Sequence, residues 1–537
     1  MKDVPVLIVG GGPVGLTASI LLSQAGIRSL LVERHASTAV HPKARAINGR
    51  TMEIFRQCGV EAAIRSAGLS PQHTGMIIWA KTLAGEEIER RVPWRAGQQA
   101  AAVSPVRNCL CAQDDLEPVL RSFAEQQELG ELKFSTEAIA FEQEADGVIV
   151  TLEDHGSGEK EAVHATYVIA ADGAHSRIRR QLGTKMLGSA HVYQSVNIAF
   201  NADLTPWTAH RPATLYFIEN DQIRGSFLTI NARDRWGFLI SAMGAFGHTV
   251  DDITPERATD IIRLAAGAPD LDVKILGIAP WTASAHVAEQ YLYGRIFLAG
   301  DAAHEMPPTG GFGMNTGVQD VHNLVWKIAA VLKGLASPAL LDTYHNERQP
   351  VARAITEQSL INATSMGRLE QTKKNASARP EYLNEQGTIF GATYNSQAIV
   401  PDGTEAPHVA NPVADYVPSA RPGARAPHVF FQHEGKQLST IDIVGDGFAM
   451  LTGGGGRPWV EAANELAGDR GLPLKAWLID DSAFASAYEL DVSGAVLVRP
   501  DGHVGWRNRA MTGDPARTLR EAISTILGRT KPRTWVQ

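Results

Sequence analysis

The sequence predicts a mixed α/β protein: a Rossmann-like dinucleotide-binding domain, interrupted by a sheet-rich segment and followed by a small separate α/β unit. Three observations carry this. A short apolar strand runs into Gly10-Gly11-Gly12-Pro13-Val14-Gly15 and then into a helical pattern. The middle of the chain alternates apolar strand-like runs with stretches rich in aromatics. Beyond a Pro- and Gly-rich crossing over residues 365–425, a strand and helix pattern restarts.

Each element has a local reason. Val4 to Val9 is mostly apolar, as a strand buried on both faces should be. Leu16 to Ala25 is helix-like and Gly26 closes it; Ser29 to Val32 is the next strand, ending on Glu33. Apolar strands ending in loops follow near 140–170 and 290–301. The stretches 73–104 and 187–285 hold alternating aromatics, such as Leu215-Tyr216-Phe217-Ile218 and Trp236-Gly237-Phe238-Leu239-Ile240, and read as an inserted sheet-rich domain. Val321, Leu324, Val325, Ile328 and Leu332 fall at helical spacing and place a helix over roughly 316–333. Val498 to Val504 reads as a hairpin around Asp501-Gly502, and Leu519, Ile523, Ile526 and Leu527 mark one face of a final helix. The expected division is 1–72, 105–186 and 286–400 for the dinucleotide domain, 73–104 and 187–285 for the insert, and 401–537 for the last unit.

Length and composition bound the function. At about 150 residues per domain, 537 residues suggest three or four domains. The 50 basic and 58 acidic residues give a net charge of −8, which argues against a dedicated nucleic-acid binder. Cys58, Cys109 and Cys111 are the only cysteines, which excludes a disulfide framework and a cysteine zinc site and fits a reducing, cytoplasmic setting. The early apolar run, Val6 to Val9, is too short for a signal segment, and no run nears the roughly 18 apolar residues of a membrane helix. The expectation is a soluble cofactor-dependent enzyme, monomeric or homodimeric, with no nucleic-acid or membrane partner.

Gly10-x-Gly12-x-x-Gly15 carries the first chemistry. Its glycines permit a tight turn, close approach to a pyrophosphate and close helix–strand packing, and the helix N-terminus adds unpaired N–H groups. Glu33 lies 18 residues past Gly15, where a carboxylate can accept from ribose hydroxyls. This motif does not separate NAD from FAD. Two later motifs do: Ala171-Asp172-Gly173-Ala174-His175-Ser176-Arg177-Ile178-Arg179 and Arg295-Ile296-Phe297-Leu298-Ala299-Gly300-Asp301-Ala302-Ala303-His304, each following an apolar strand. With these the chain resembles the single-component FAD-dependent aromatic hydroxylases, the group of para-hydroxybenzoate and phenol hydroxylases. Within that group it looks most like the hydroxylases of aromatic polyketides, such as aklavinone hydroxylase.

The resemblance implies site residues. Asp301 would accept from a ribityl hydroxyl of FAD. Asp172 would lie near the pyrophosphate and the nicotinamide cofactor, or cap a helix; Arg179 is open between an ion pair and a cofactor contact. Pro308, Gly313, Met314 and Asn315 would meet the flavin, with the helix N-terminus facing the charge of its reduced pyrimidine end. Glu33, Arg34, Arg45 and Gln113 complete the implied FAD contacts.

The chemistry so implied belongs largely to the cofactor. NADPH or NADH docks transiently and reduces the flavin, O2 adds at C4a, and the distal oxygen of the hydroperoxide attacks a phenolic or polycyclic aromatic. No sequence signature marks a catalytic base; Pro307 and His304 are the nearest candidates, and His73 and His191 are further ones. Tyr216, Phe238, Trp281 and Trp79 lead the candidates for substrate lining, with Trp94, Tyr193 and Phe227 behind them. Baeyer–Villiger insertion on the same scaffold is the alternative enzyme reading. A flavin halogenase lacks support because its Trp-x-Trp-x-Ile-Pro segment is absent, and the intact motifs argue against a non-catalytic chaperone. The last unit resembles the thioredoxin-like appendage of longer family members; without CxxC it has no redox role and is expected to stabilise or assemble.

Overall fold

The computed structural model describes all residues except 92–101, 367–378, 380, 383, 446 and 530–537. Five parallel strands run in the spatial order Ile296–Leu298, Lys160–Ala170, Lys2–Val9, Ser29–Val32, Gly130–Lys133. The central strand explains its own composition: Val6, Leu7 and Ile8 are fully buried in one core with helix Pro13–Gln24 and with Val148, Val150 and Leu152 of strand Val148–Asp154. Helix Pro13–Gln24 packs on helices Gln113–Glu125 and Gly313–Leu332. The last begins three residues before the start expected from its apolar spacing, because its first turn is glycine-rich and carries no periodic signal.

Register decides what meets at the edge of this sheet. Val9 pairs with Ala170, and Ala170 with Leu298. The three motif loops, beginning at Gly10, Ala171 and Ala299, therefore leave the carboxyl ends of adjacent strands side by side, where ligands bind in open α/β sheets. Ala171 N–H donates to the Val9 carbonyl at 2.8 Å, and Ala299 N–H to that of Ala170 at 3.0 Å.

A second sheet has eight strands, in the order His304–Glu305, Lys274–Ala288, Met186–Asn201, Arg235–Ile240, Arg224–Thr229, Leu215–Glu219, Ile77–Ala80, Glu87–Arg91. Neighbours are antiparallel except Leu215–Glu219 with Ile77–Ala80. Period-two alternation gives it two faces. Phe200, Tyr216, Phe227, Trp236 and Phe238 form one core with Ala258, Ile261, Ile262 and Ala265 of helix Pro255–Ala266. That helix is well bounded: Thr254 caps it by accepting from Arg257 N–H, Pro255 opens it, and Gly267 ends it at φ +71°.

The third sheet runs Leu474–Leu478, Phe448–Thr452, Ala495–Val498, Val504–Asn508. Its first two strands are parallel and the rest antiparallel, in the chain order β-α-β-α-β-β-α of a thioredoxin-like unit. One face, under helices Arg457–Arg470 and Pro515–Ile526, shares its core with Trp326 and Ala330 of helix Gly313–Leu332. Among the described residues no helix is long and apolar enough to cross a membrane.

Candidate active site

The fingerprint glycines divide by what faces them. A Cβ on Gly15 would stand 1.9 Å from the Gly10 carbonyl oxygen, and one on Gly10, at φ +113°, would stand 2.2 Å from that of Ala171. A Cβ on Gly12 would meet only Glu117 Oε1, at 4.0 Å. Gly10 and Gly15 are required by the protein's own packing, whereas Gly12 keeps backbone open toward the groove. Gly12 also precedes helix Pro13–Gln24 without a capping side chain, so first-turn N–H groups stay available to an anion. Glu33 sits at this turn, accepting from Gly11 N–H at 2.6 Å and from His35 N–H at 2.9 Å. Arg34 is exposed.

Asp301 is the accessible acid of the site. Its neighbours Gly300 and Ala302 are buried, yet Asp301 is exposed, and no described protein group donates to its carboxylate. Desolvation nevertheless pushes its carboxyl up, with His304 pulling the other way. Both fit a groove floor, walled by protein and open on one side. Asp172 accepts from Ile178 N–H at 3.3 Å through one oxygen, while its other oxygen is buried without a partner. Burial pushes this carboxyl up as well. It thus supports the short helix Arg177–Gln181, whose cap is Ser176, and retains an unmet acceptor. Arg179 donates to the carbonyls of Asp301 and Ala302, both at 3.1 Å, and of Ala174 at 2.6 Å, tying two motifs together.

After Asp301 the chain turns through buried Pro307, exposed Pro308, Gly310 at φ +113° and Gly311 at φ +71°, then enters helix Gly313–Leu332. Phe312 provides no side-chain cap, so the first-turn N–H groups of Gly313, Met314 and Asn315 face outward. The Asn315 side chain is engaged elsewhere: its amide donates to the carbonyls of Ala46 (2.8 Å) and Gly311 (2.6 Å) and accepts from Asn48 N–H (3.0 Å). Asn315 therefore joins the loop to the segment that crosses the groove.

That crossing segment, residues 41–48, carries Arg45 and meets Gln113, two of the implied FAD contacts. The Arg45 guanidinium donates to the carbonyls of Thr229 (3.0 Å) and Thr214 (2.9 Å) of the second sheet, and burial lowers its pKa to about 10. Gln113 likewise turns to protein, accepting from Ala44 N–H at 3.3 Å and donating to Glu117 at 2.6 Å. Glu117 was missed, although it follows Gln113 by one helical turn. Its carboxylate accepts from Ala39 N–H at 2.6 Å, and burial raises its pKa. Lys43, an exposed cation of the same segment, acts electrostatically on both Asp301 and Glu117.

The segment also identifies the groove face of the second sheet. Asn197 donates to the Pro42 carbonyl at 3.3 Å, and a Cβ on Gly277 would meet the His41 ring at 3.3 Å. This face carries Trp79 stacked on Phe217 at 5.0 Å on one flank, and Tyr193 edge-on to Trp281 at 5.7 Å on the other. Register places Asn197, Leu239, Leu228 and Ser226 between them. Asn197 Oδ1 and Ser226 Oγ are buried there without partners. Tyr216, Phe227 and Phe238, by contrast, point the other way, into the core beneath helix Pro255–Ala266. Tyr216 is fixed there by its hydroxyl, which donates to the Arg211 carbonyl at 2.9 Å and accepts from Ala213 N–H at 3.0 Å. All three are fully or almost fully buried in that core. Trp94 lies outside the described residues.

The histidine candidates differ in setting. His304 is fully buried, and its Nε2 meets Asp320 at 2.8 Å. His73 pairs with Ser70 at 3.0 Å, and His191 is exposed.

A family model described as FAD binding domain matches residues 3–359, and one described as aromatic-ring hydroxylase, C-terminal, matches residues 419–530. The chain is 38% identical to the tetracenomycin B2 monooxygenase-dioxygenase of Streptomyces olivaceus, over 98% of this chain and 99% of that one. It is also 38% identical to a 4-methyl-5-nitrocatechol 5-monooxygenase of a Burkholderia species, over 98% of each. Its fold is similar to that of aklavinone-11 hydroxylase, crystallised with FAD and aklavinone, with a TM-score of 0.86 and 32% identity over 98% of this chain and 100% of that one.

Proposed function

The chain belongs to the FAD-dependent aromatic-ring hydroxylases, a family of flavin monooxygenases using NAD(P)H, and from that premise we propose how its own residues serve the reaction. FAD lies along the edge where the three motif loops meet. Gly12 and the N-terminus of helix Pro13–Gln24 receive the pyrophosphate, Glu33 the ribose, and Asp301 the ribityl chain. The loop from Pro307 to Asn315 holds the flavin ring, with backbone N–H groups at its pyrimidine end. Bound FAD supplies hydride acceptance and oxygen activation. The protein supplies orientation and exclusion of water.

The substrate is a phenolic or polycyclic aromatic held on the groove face between the Trp79–Phe217 and Tyr193–Trp281 flanks. Asn197 and Ser226 meet its polar substituents, because buried polar groups without partners are costly unless a ligand satisfies them. O2 and NADPH or NADH are co-substrates. The three units follow the divisions 1–72 with 105–186 and 286–400, 73–104 with 187–285, and 401–537. The enzyme works in the cytoplasm as a monomer or homodimer.

The observation that carries this reading is the open, unpartnered Asp301 carboxylate beside the fingerprint turn. Purified Asp301→Ala is expected to lose its flavin, and full occupancy would refute the assignment. In FAD-loaded protein, one member of a panel of phenols and polycyclic quinones should accelerate NADPH or NADH oxidation and oxygen uptake. Its product structure separates ring hydroxylation from ester insertion. A flavin that no nicotinamide reduces would contradict the reading.

A further inference from the structure

Helix Gly313–Leu332 has two different surroundings. Its N-terminus forms the flavin side of the groove, while Asp320, Asn323 and Lys327 make a buried polar stripe along its opposite length. That stripe leads to the C-terminal unit. Asn323 donates to Asp501 at 3.0 Å and to Glu347 at 2.6 Å, and Lys327 donates to Glu347 at 2.7 Å. Arg499 grips Glu347 through both terminal nitrogens, at 2.6 and 2.8 Å, and also pairs with Asp501. On the same helix Trp326 packs edge-on to Phe448 of the third sheet at 5.8 Å.

A second branch reaches the groove itself. The Tyr394 ring stacks on His503 at 4.0 Å, and its hydroxyl accepts from Arg348 at 3.1 Å. Arg348 donates to one oxygen of Asp320 at 2.9 Å. The other oxygen accepts from Gly300 N–H at 3.2 Å and meets His304 at 2.8 Å. Gly300 and His304 flank Asp301. Gly300 is left-handed at φ +60°, and a Cβ there would stand 2.9 Å from Val14, so the turn is seated between Asp320 and the first helix. Buried ion pairs of this kind contribute little net stability compared with apolar packing. What this one fixes is geometry.

We propose that the C-terminal unit positions the flavin site: His503 and Arg499 act through Tyr394, Arg348, Glu347 and Asp320 to hold the Gly300–Asp301 turn and the start of helix Gly313–Leu332 in register with FAD. These are positioning residues; none touches the cofactor. The inference rests on the flavin site proposed above. It gives the unit without CxxC a role in the chemistry that needs no redox group.

The test compares Tyr394→Phe and Arg499→Lys with Asp402→Asn. Asp402 accepts from Arg507 at 2.7 Å within the C-terminal region but lies off the route to Asp320. Tyr394→Phe removes one hydrogen bond and keeps the ring, so it decides the matter even if Arg499→Lys fails to fold. Apoprotein of each variant is titrated with FAD, its melting temperature measured, and the bound flavin's reduction potential determined. Tyr394→Phe should weaken FAD binding about tenfold and move the potential, while Asp402→Asn lowers the melting temperature and leaves both unchanged. Unchanged FAD affinity and potential in Tyr394→Phe would overturn the proposal, as would an equal loss in Asp402→Asn. If Asp301→Ala weakens FAD and Tyr394→Phe does not, the positioning role falls and the flavin site stands. If Asp301→Ala has no effect, the site itself is misplaced.

Discussion

The two faces of the eight-stranded sheet come from the same strands and differ in almost every other respect. The face under helix Pro255–Ala266 is closed and aromatic: Phe200, Phe227 and Phe238 are completely buried, and Tyr216 and Trp236 nearly so. The groove face carries two aromatic flanks with a polar middle: Tyr193 and Trp281 pack with Ala363 of helix Thr343–Ser365, Trp79 and Phe217 pack with Met366 and Tyr382, and Asn197 and Ser226 keep buried atoms without partners. A closed face stabilises the fold through burial, whereas two aromatic flanks either side of a polar middle offer a ligand both apolar walls and hydrogen-bonding groups. Alternation decides which face an aromatic takes, and the elements packed on that face decide what it becomes.

The largest effect that could break this contrast lies on the closed face. Phe238→Ala should cost about 3–5 kcal/mol in denaturant unfolding, with the substrate KM of the surviving folded protein unchanged. A changed KM at full stability would place Phe238 in the site after all. On the groove face the pattern should reverse. Trp281→Ala should raise the aromatic's KM roughly tenfold, with a much smaller loss of stability than Phe238→Ala. A smaller effect sharpens the closed face: Tyr216→Phe leaves the Ala213 N–H without its acceptor and should cost about 1–2 kcal/mol, again without moving KM. Smallest of all is the cysteines' contribution to chemistry. Burial pushes the thiols of Cys58 and Cys111 up to about 12 and raises that of Cys109, so all three stay protonated at neutral pH. Alkylating reagents at pH 7 should therefore leave turnover intact; inactivation that a bound aromatic prevents would put a thiol in the site.

What the sequence made legible follows the range of the interactions. The fingerprint, the strand before it and the helix after it are local, and Ser29–Val32 falls where its apolar run places it. The three motif loops could be found one by one, since each follows its own strand. The faces could not be told apart. Alternation in Leu215–Glu219 says that Tyr216 and Phe217 point opposite ways, but only pairing across the sheet, and the placement of helix Pro255–Ala266, says which of them is covered. The roles of His304 and Arg45 depend on more distant partners. Asp320 lies 16 residues from His304, and Thr214 lies 169 residues from Arg45, with no local pattern linking them. The ion pairs that tie Arg499 to Glu347 span 152 residues and leave no mark in any window of sequence.

Oxygen insertion into an aromatic is the reaction proposed for the groove between the motif edge and the second sheet. The most direct test is a single reaction of the FAD-loaded enzyme with NAD(P)H, its best aromatic and isotopically heavy dioxygen, read by the mass of the product. The expected product carries labelled oxygen from the gas. An unlabelled aromatic, with all the heavy oxygen recovered as peroxide or water, would contradict it.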